Sequence, residues 1–197
     1  MAYVIASANP DKVAEIVALL EPLGLELLPR PSEVPEVEET GTTLEENALL
    51  KANALAVATG HAAIADDTGL EVDGLGGEPG VYAARYAGED ATYADNVNKV
   101  LAELERRGSG PEDRRARFAT VAAVAWPDGT SMTVRGEVAG EIAAEPRGAG
   151  GFGYDPIFVP EGGGGRSFAE MEPWEKESIS HRGRAFRLLA DALAQRL

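Results

Sequence analysis

The N-terminal part of the chain alternates short apolar runs with a stretch in which apolar residues recur at helical spacing. The run from Tyr3 to Ala6 predicts a strand, and Leu25 to Leu28 predicts another. Between them, Asn9 and Pro10 are residue types that favour the N-cap and the first position of a helix. The apolar face of that helix consists of Val13, Ile16, Val17 and Leu20. The pattern therefore predicts a strand, a helix and a second strand at the start of the chain.

A second helix is predicted from the residues at its two ends. Thr43 and Glu46 have the spacing of a capping box, which marks a helix N-terminus. The helix is expected to run to about Thr59, where Gly60 provides a stop signal.

The second half of the chain combines helical patterns with a hairpin. Arg115 to Trp126 and Thr130 to Ile142 flank the turn Pro127-Asp128-Gly129, which is a hairpin signal. Ile157 to Val159 predicts a short buried strand. Two further amphipathic helices are predicted by Val97, Val100, Leu101 and Leu104, and by Ala185, Leu188, Leu189, Ala192 and Leu193. This order predicts an α/β fold with a mixed β-sheet and flanking helices.

Length and composition narrow the function classes. The chain has 197 residues, which suits a single domain over residues 1–197. It contains no cysteine, which excludes disulfides, thiolate metal sites and a cysteine nucleophile and fits a cytoplasmic location. No apolar run reaches membrane-spanning length, and the first residues lack a basic signal region. The formal net charge of −15 disfavours binding to nucleic acid. We therefore expect neither a membrane nor a nucleic acid as a partner.

The pair Asp66-Asp67 is the most informative feature. It follows the apolar run Ala62 to Ala65, so a strand is predicted to end at the two acids and to deliver them to a sheet edge. Adjacent carboxylates repel each other, which points to a metal ion or to proton transfer. The alternative is a solvated turn, in which such pairs also occur.

Residues Ser7 to Lys12 join the first strand to the first helix. Backbone N–H groups at a helix N-terminus attract phosphate, and Lys12 adds a full positive charge. A capped helix with a surface lysine remains the alternative.

A second group of candidates surrounds the second helix. Glu38 and Glu39 precede it, and Asn47 and Lys51 lie four residues apart on one of its faces. Together with Asp66 and Asp67, the two glutamates and Lys51 would suit a hydrated Mg²⁺ that shares oxygens with a polyphosphate. The alternative is a solvated polar face.

Two segments near the C-terminus could contact a flat ligand. In the segment from Gly150 to Pro156, glycines flank Phe152, which offers a stacking face, and Asp155 could accept a hydrogen bond. A turn before a strand is the alternative. His181 and Arg182 stand at the start of the last helix, where basic residues are unfavourable without a compensating anion or acceptor. A salt bridge with one of the many acids would also explain them.

Five segments in series resemble the motifs of the inosine triphosphate pyrophosphatase family, whose members hydrolyse dITP, ITP and XTP. The segments are SANPDK followed by Glu15, EETGTTLEENALLKA, AIADDTGLEVDGLGGEPGVYAARY, GGFGYDPIF and EKESISHRG. The resemblance implies a homodimer with an elongated, two-lobed α/β fold and a central cleft. It also implies hydrolysis of a nonstandard purine nucleoside triphosphate to the monophosphate and pyrophosphate.

The resemblance also implies residue roles. Asp67 is expected to accept a proton from water and, with Glu38 or Glu39, to organise Mg²⁺; the sequence does not separate the two glutamates. The residues expected to bind substrate are Ser7, Ala8, Asn9, Pro10, Asp11 and Lys12 with Lys51 at the phosphates, Thr68, and Phe152, Gly153, Tyr154, Asp155, Lys176, His181 and Arg182 around the base.

Two other functions stay open at this point. A Maf-like nucleotide pyrophosphatase has related chemistry, but its first loop carries a Ser-x-Ser-Pro-Arg-Arg type pattern that SANPDK lacks. A noncatalytic nucleotide sensor would not need the acids and the lysine that the chain provides.

Overall fold

The computed structural model describes residues 2–108 and 110–195. The predicted domain over residues 1–197 thus includes four positions outside the described residues. Within them, the strands are Ala2–Ile5 (β1), Glu26–Leu28 (β2), Ala62–Val72 (β3), Pro79–Gly80 (β4), Arg115–Ala125 (β5), Ser131–Ile142 (β6) and Phe158–Pro160 (β7). The α-helices are Pro10–Leu20 (α1), Leu44–Thr59 (α2), Tyr93–Arg106 (α3), Pro173–Ile179 (α4) and His181–Ala194 (α5).

The strands form a mixed sheet, as predicted. Its order is β2-β1-β3-β5-β6-β7, with β4 paired to β3. Strand β1 is parallel to both β2 and β3, whereas β4 pairs antiparallel with β3 and β7 antiparallel with β6. Parallel pairing at one end and antiparallel pairing at the other follows from a chain that joins βα units to a hairpin.

The described chain divides into two compact units, each with its own apolar core. The first unit contains residues 2–67, 120–136 and 182–195, and the second contains residues 68–108, 110–119 and 137–181. The first core gathers residues such as Ile16, Leu20 and Phe186. The second gathers residues such as Leu104, Phe118 and Phe158. No helix in the described part of the chain combines the length and the apolar character that crossing a bilayer requires.

Local signals at the helix starts are confirmed. The Asn9 Oδ1 atom accepts hydrogen bonds from the Asp11 and Lys12 amides, so that Asn9 caps α1 with Pro10 at its first position. The Thr43 hydroxyl accepts from the Glu46 amide at 3.1 Å, and the Glu46 carboxylate accepts from the Thr43 amide at 3.2 Å.

The third strand does not end where the sequence predicted. The expected end at Asp66-Asp67 is wrong, because β3 continues to Val72. The continuation is stabilised by apolar burial of Leu70 and Val72 and by antiparallel pairing of Leu70 with Gly80. Helix α4, which precedes the last helix, was not predicted as a separate element.

Candidate active site

The acid pair lies where β1 leaves its parallel partner β3. Pairing between the two strands extends to Ile5 and Ile64, and the Ala6 amide donates to the Ile64 carbonyl at 2.7 Å. Strand β1 then turns into the loop before α1, while β3 carries on through Asp66 and Asp67. The acids therefore stand at the carboxyl end of a parallel pair even though their own strand continues.

Asp66 is buried among cationic side chains of the first unit. Its Oδ2 atom lies 3.4 Å from the Lys12 Nζ and accepts a hydrogen bond from Arg182 Nη2 at 3.2 Å. Arg182 in turn donates from Nη1 to Glu15 Oε2 at 2.6 Å. Burial alone would raise the pKa of Asp66, but the charges of Lys12 and Arg182 outweigh it and hold the pKa well below its usual range. Asp66 is thus an ionised carboxylate that links α1 to the start of α5.

Asp67 belongs to a second cluster in the same unit. Lys51 Nζ donates to Asp67 Oδ1 at 3.0 Å and to Glu39 Oε1 at 2.7 Å, and Asn47 Nδ2 donates to Asp67 Oδ2 at 3.3 Å. Burial raises the pKa of Asp67, and although Lys51 opposes this effect, the nearby Glu39 charge adds to it. The two neighbouring acids therefore have pKa values shifted in opposite directions, which is a feature of sites that perform acid–base chemistry.

Both clusters combine carboxylates with cationic side chains. In the first cluster, ion pairs join Asp66 to Lys12 and to Arg182, and Arg182 to Glu15. In the second, Lys51 pairs with Glu39 and with Asp67. Glu39 and Asp67 thus both lie beside Lys51, and two carboxylates this close together favour a nearby cation.

A divalent ion fits this donor set if it takes some ligands from elsewhere. Among residues 2–108 and 110–195, no group of three or more acidic or histidine side chains is arranged as a complete metal site. Mg²⁺ typically uses only one or two carboxylates and completes its shell with water and substrate phosphates. Glu39 and Asp67, which approach the same Lys51 nitrogen, provide such a pair, whereas Glu38 is exposed.

The loop before α1 carries the residues that were predicted to bind the phosphates. The Ser7 Oγ accepts a hydrogen bond from the Asn9 amide at 3.2 Å, and Lys12 extends toward Asp66. Ala8, Pro10 and Asp11 are exposed at the same helix start. Lys12 is therefore not the isolated surface lysine of the alternative interpretation.

In the second unit, Phe152 to Asp155 form a tight turn around a buried ion pair. The Asp155 Oδ2 atom accepts from the Phe152 amide at 2.8 Å and from Lys176 Nζ at 2.6 Å. The same Lys176 nitrogen lies 4.8 Å from the centre of the Phe152 ring, a cation–π contact. A side chain at position 151 would collide with Asp155, so only the glycine found there permits the turn, and the half-buried Gly153 also has a positive φ.

The remaining residues predicted to contact the substrate lie in different surroundings. The Tyr154 hydroxyl is buried and donates to the Ala83 carbonyl at 2.8 Å. His181 is also buried and stacks on Phe118, with ring centres 4.3 Å apart and planes at 7°. Thr68 is half-buried on β3. Arg182, adjacent to His181 in sequence, belongs to the first unit and its carboxylate network.

Some residues of these clusters were not assigned a role from the sequence. Asn47 was expected on a polar face but is only 1% exposed and contacts Asp67. Its spacing of four residues from Lys51 is the sequence signal that places both side chains on the same helix face, where both contact Asp67. Glu15 follows the first motif, but its contact with Arg182 spans 167 positions, so no local pattern predicts it. The stacking of Phe118 on His181 had no sequence signal.

Comparison with known proteins agrees with the resemblance of the five motifs. The dITP/XTP pyrophosphatase of Bacillus subtilis is 48% identical over 96% of this chain and 96% of that protein. The dITP/XTP pyrophosphatase of Thermus thermophilus is 50% identical over 98% of this chain and 91% of that protein.

Solved structures show the same fold. The HAM1 protein of Coxiella burnetii is 43% identical, covers 99% of both chains and superposes with a TM-score of 0.90. A nucleoside-triphosphatase described as a dITP/XTP pyrophosphatase from Mycobacterium abscessus is 45% identical, covers 96% of this chain and 97% of its own, and gives a TM-score of 0.76. The model of the Ham1 family matches residues 3–192. The chain therefore belongs to the Ham1 family.

Proposed function

We propose that this protein is a nucleoside-triphosphate pyrophosphatase that hydrolyses dITP, ITP and XTP to the monophosphate and pyrophosphate. The observation that carries the proposal is the pair of clusters around the neighbouring residues Asp66 and Asp67, in which two lysines and an arginine contact the acids. The names of the Bacillus subtilis and Thermus thermophilus relatives support the substrate class. The reaction removes nonstandard purines from the nucleotide pool.

The first unit supplies the groups that meet the triphosphate. Residues Ser7 to Lys12 are proposed to contact the phosphates, since the N-terminus of α1 offers backbone N–H groups and Lys12 a positive charge. Lys51 adds a second ammonium near Asp67. Negative charge grows on the leaving pyrophosphate during the reaction, and these cations stabilise it at that stage.

Pyrophosphatases of the Ham1 family are metal-dependent hydrolases, and we assign Mg²⁺ as the metal here. Glu39 and Asp67 are the residues proposed to hold it, because both lie beside Lys51. Glu38, the other predicted ligand, is exposed and is the weaker candidate. When bound, Mg²⁺ would neutralise phosphate charge and help orient the substrate.

Asp67 is proposed to accept the proton of the attacking water. Burial raises the pKa of its carboxyl group, which makes the carboxylate a stronger base than an exposed aspartate. Lys51 and Asn47 contact different oxygens of this carboxylate and fix its orientation. The water attacks the α-phosphorus, and pyrophosphate leaves.

The second unit supplies the groups proposed to contact the base. Phe152 offers an aromatic face, and the Lys176 ammonium can donate a hydrogen bond to a 6-oxo group while it holds Asp155. Thr68, Gly153, Tyr154 and His181 remain predicted contacts. A contact between Arg182 and the base also remains a prediction. Two nitrogens of this guanidinium group already donate to Glu15 and Asp66.

The proposed location and partners of the protein follow from its substrate. A free purine nucleoside triphosphate requires no membrane or nucleic-acid partner, and we propose a cytoplasmic location because the nucleotide pool is found there. A homodimer is proposed from the family resemblance.

The product of dITP hydrolysis tests the function. With Mg²⁺, the proposal predicts equal amounts of dIMP and pyrophosphate, with one ¹⁸O atom in dIMP when the reaction runs in H₂¹⁸O. Release of orthophosphate would contradict cleavage between the α- and β-phosphates. Binding of dITP without turnover would support a sensor, and turnover restricted to bases other than hypoxanthine and xanthine would support a Maf-like enzyme.

A further inference from the structure

We infer that Tyr93 positions the Phe152 ring and thereby determines how tightly the purine base is held. This inference rests on the proposed function, because it takes Phe152 as the stacking face for the base. Tyr93 has no assigned role in the sequence motifs or in the clusters described above. The geometry of the second unit gives it one.

Tyr93 and Lys176 both contact the Phe152 ring. The Tyr93 ring centre lies 6.0 Å from that of Phe152, with the planes tilted by 40°. The Lys176 ammonium lies 4.8 Å from the centre of the Phe152 ring. Such aromatic pairs attract each other at this separation and inclination.

The backbone of the turn does not by itself fix the orientation of the ring. Asp155 accepts from the Phe152 amide at 2.8 Å and donates its own amide to the Phe152 carbonyl at 3.2 Å. These bonds hold the main chain, while the phenyl group can still turn about its side-chain torsions. Tyr93 and Lys176 are among the groups that contact the ring, and these contacts therefore restrict its orientation.

Tyr93 is well suited to this task because its own backbone is firmly held. It is the first residue of α3, which Thr92 and Asp95 cap with hydrogen bonds of 2.8 and 3.2 Å between side chain and backbone. One turn along, the buried Asn96 accepts from the Ala87 amide at 2.7 Å and donates to the Ala84 carbonyl at 3.0 Å. These contacts fix the start of the helix against the preceding segment.

The exposure of Tyr93 fits a ring that serves a ligand site. Its surface is 43% exposed although the residue is large and partly apolar. A tyrosine at this position contributes little to the core, so its removal should affect Phe152 more than folding.

Steady-state kinetics with dITP test the inference. Tyr93→Leu keeps apolar bulk without a ring, Tyr93→Ala removes the bulk as well, and Tyr93→Phe is the matched control that retains the ring. We expect both ring-free variants to raise KM by about 2- to 12-fold, the range that an aromatic pair contributes. The kcat should stay near the wild-type value, and Tyr93→Phe should behave as wild type.

Product inhibition separates the base from the phosphates. Inhibition by dIMP, which carries the base, should weaken in parallel with KM, whereas inhibition by pyrophosphate should not change. In a double-mutant cycle, Tyr93→Leu should have no further effect once Phe152 is replaced by leucine. A loss of equal size in both backgrounds would show that Tyr93 does not act through Phe152.

The possible failures are distinct. Wild-type protein that does not turn over dITP contradicts the proposed function. Wild-type turnover with an unchanged KM in both ring-free variants overturns only the role of Tyr93. A lower kcat, or a weaker pyrophosphate inhibition, would also overturn it, because neither follows from a change at the base.

Discussion

At the scale of single residues, the two neighbouring aspartates have different electrostatic surroundings. Asp66 is held ionised by Lys12 and Arg182, whereas burial raises the pKa of Asp67. Asp66 therefore organises cationic side chains, and Asp67 is the residue suited to accept a proton. The opposite pKa shifts depend on the groups that surround each carboxylate, since the two side chains are chemically identical.

Asp67→Asn should remove most of the activity while the fold remains. The amide cannot accept the proton from water and binds a metal ion less well, and loss of a general base costs about 10²- to 10⁴-fold in rate. The measurement is kcat for dITP with saturating Mg²⁺, together with the melting temperature. The matched control is Asp90→Asn, an exposed position in the second unit. A kcat near wild type would withdraw the assignment of Asp67 as the base.

Lys12→Ala should lower kcat/KM for dITP by about 10- to 100-fold, the value of one charge-assisted hydrogen bond to phosphate. Lys12→Arg, which keeps the charge, should recover part of the loss. The assays need low salt, because salt screens a partly exposed charge. Unchanged kinetics in the alanine variant would mean that Lys12 serves Asp66 alone.

At the scale of elements, local signals were predictable and long-range partners were not. The Asn9 cap and the Thr43 capping box depend on residues within a few positions, so the sequence shows them directly. The Arg182–Asp66 hydrogen bond joins residues 116 positions apart, and no local pattern reveals it. The end of β3 was predicted too early because the apolar run stops at Ala65, whereas pairing with β4 continues the strand.

Thr43→Ala tests the local account of α2. The substitution removes the oxygen that accepts from the Glu46 amide, and loss of such a cap costs about 0.5–2 kcal/mol. We expect the free energy of unfolding, measured by urea denaturation, to fall by this amount. Ser32→Ala, at an exposed loop position, should change it by less than about 0.5 kcal/mol. Equal effects of the two substitutions would contradict the capping role.

At the scale of the whole molecule, the structure has two compact units with different chemistry. The first carries the acids and cations proposed to meet the triphosphate and the metal, and the second carries the aromatic and lysine residues proposed to meet the base. Substitutions in the first should therefore affect the chemical step for all substrates, while those in the second should affect the choice among bases.

Removal of metal should abolish turnover. The neighbouring carboxylates of Glu39 and Asp67 repel a triphosphate unless a cation lies between them and the phosphates. Exhaustive treatment with EDTA should reduce dITP hydrolysis to background, and added Mg²⁺ should restore it. Full turnover after chelation would contradict the assignment of a metal to Glu39 and Asp67.

The most direct test of the central claim is kcat/KM for a panel of dITP, ITP, XTP, GTP and ATP, measured by pyrophosphate release with Mg²⁺. A donor such as Lys176 can bond to the 6-oxo group of hypoxanthine or xanthine but faces another donor in adenine, and an unpaired buried polar group costs about 1–3 kcal/mol. Guanine also has the 6-oxo group, so discrimination against GTP is expected to come from poor accommodation of the 2-amino group of guanine. The account predicts dITP, ITP and XTP well above ATP, with GTP also poor. Equal values for ITP and ATP, or a preference for ATP or GTP, would contradict it.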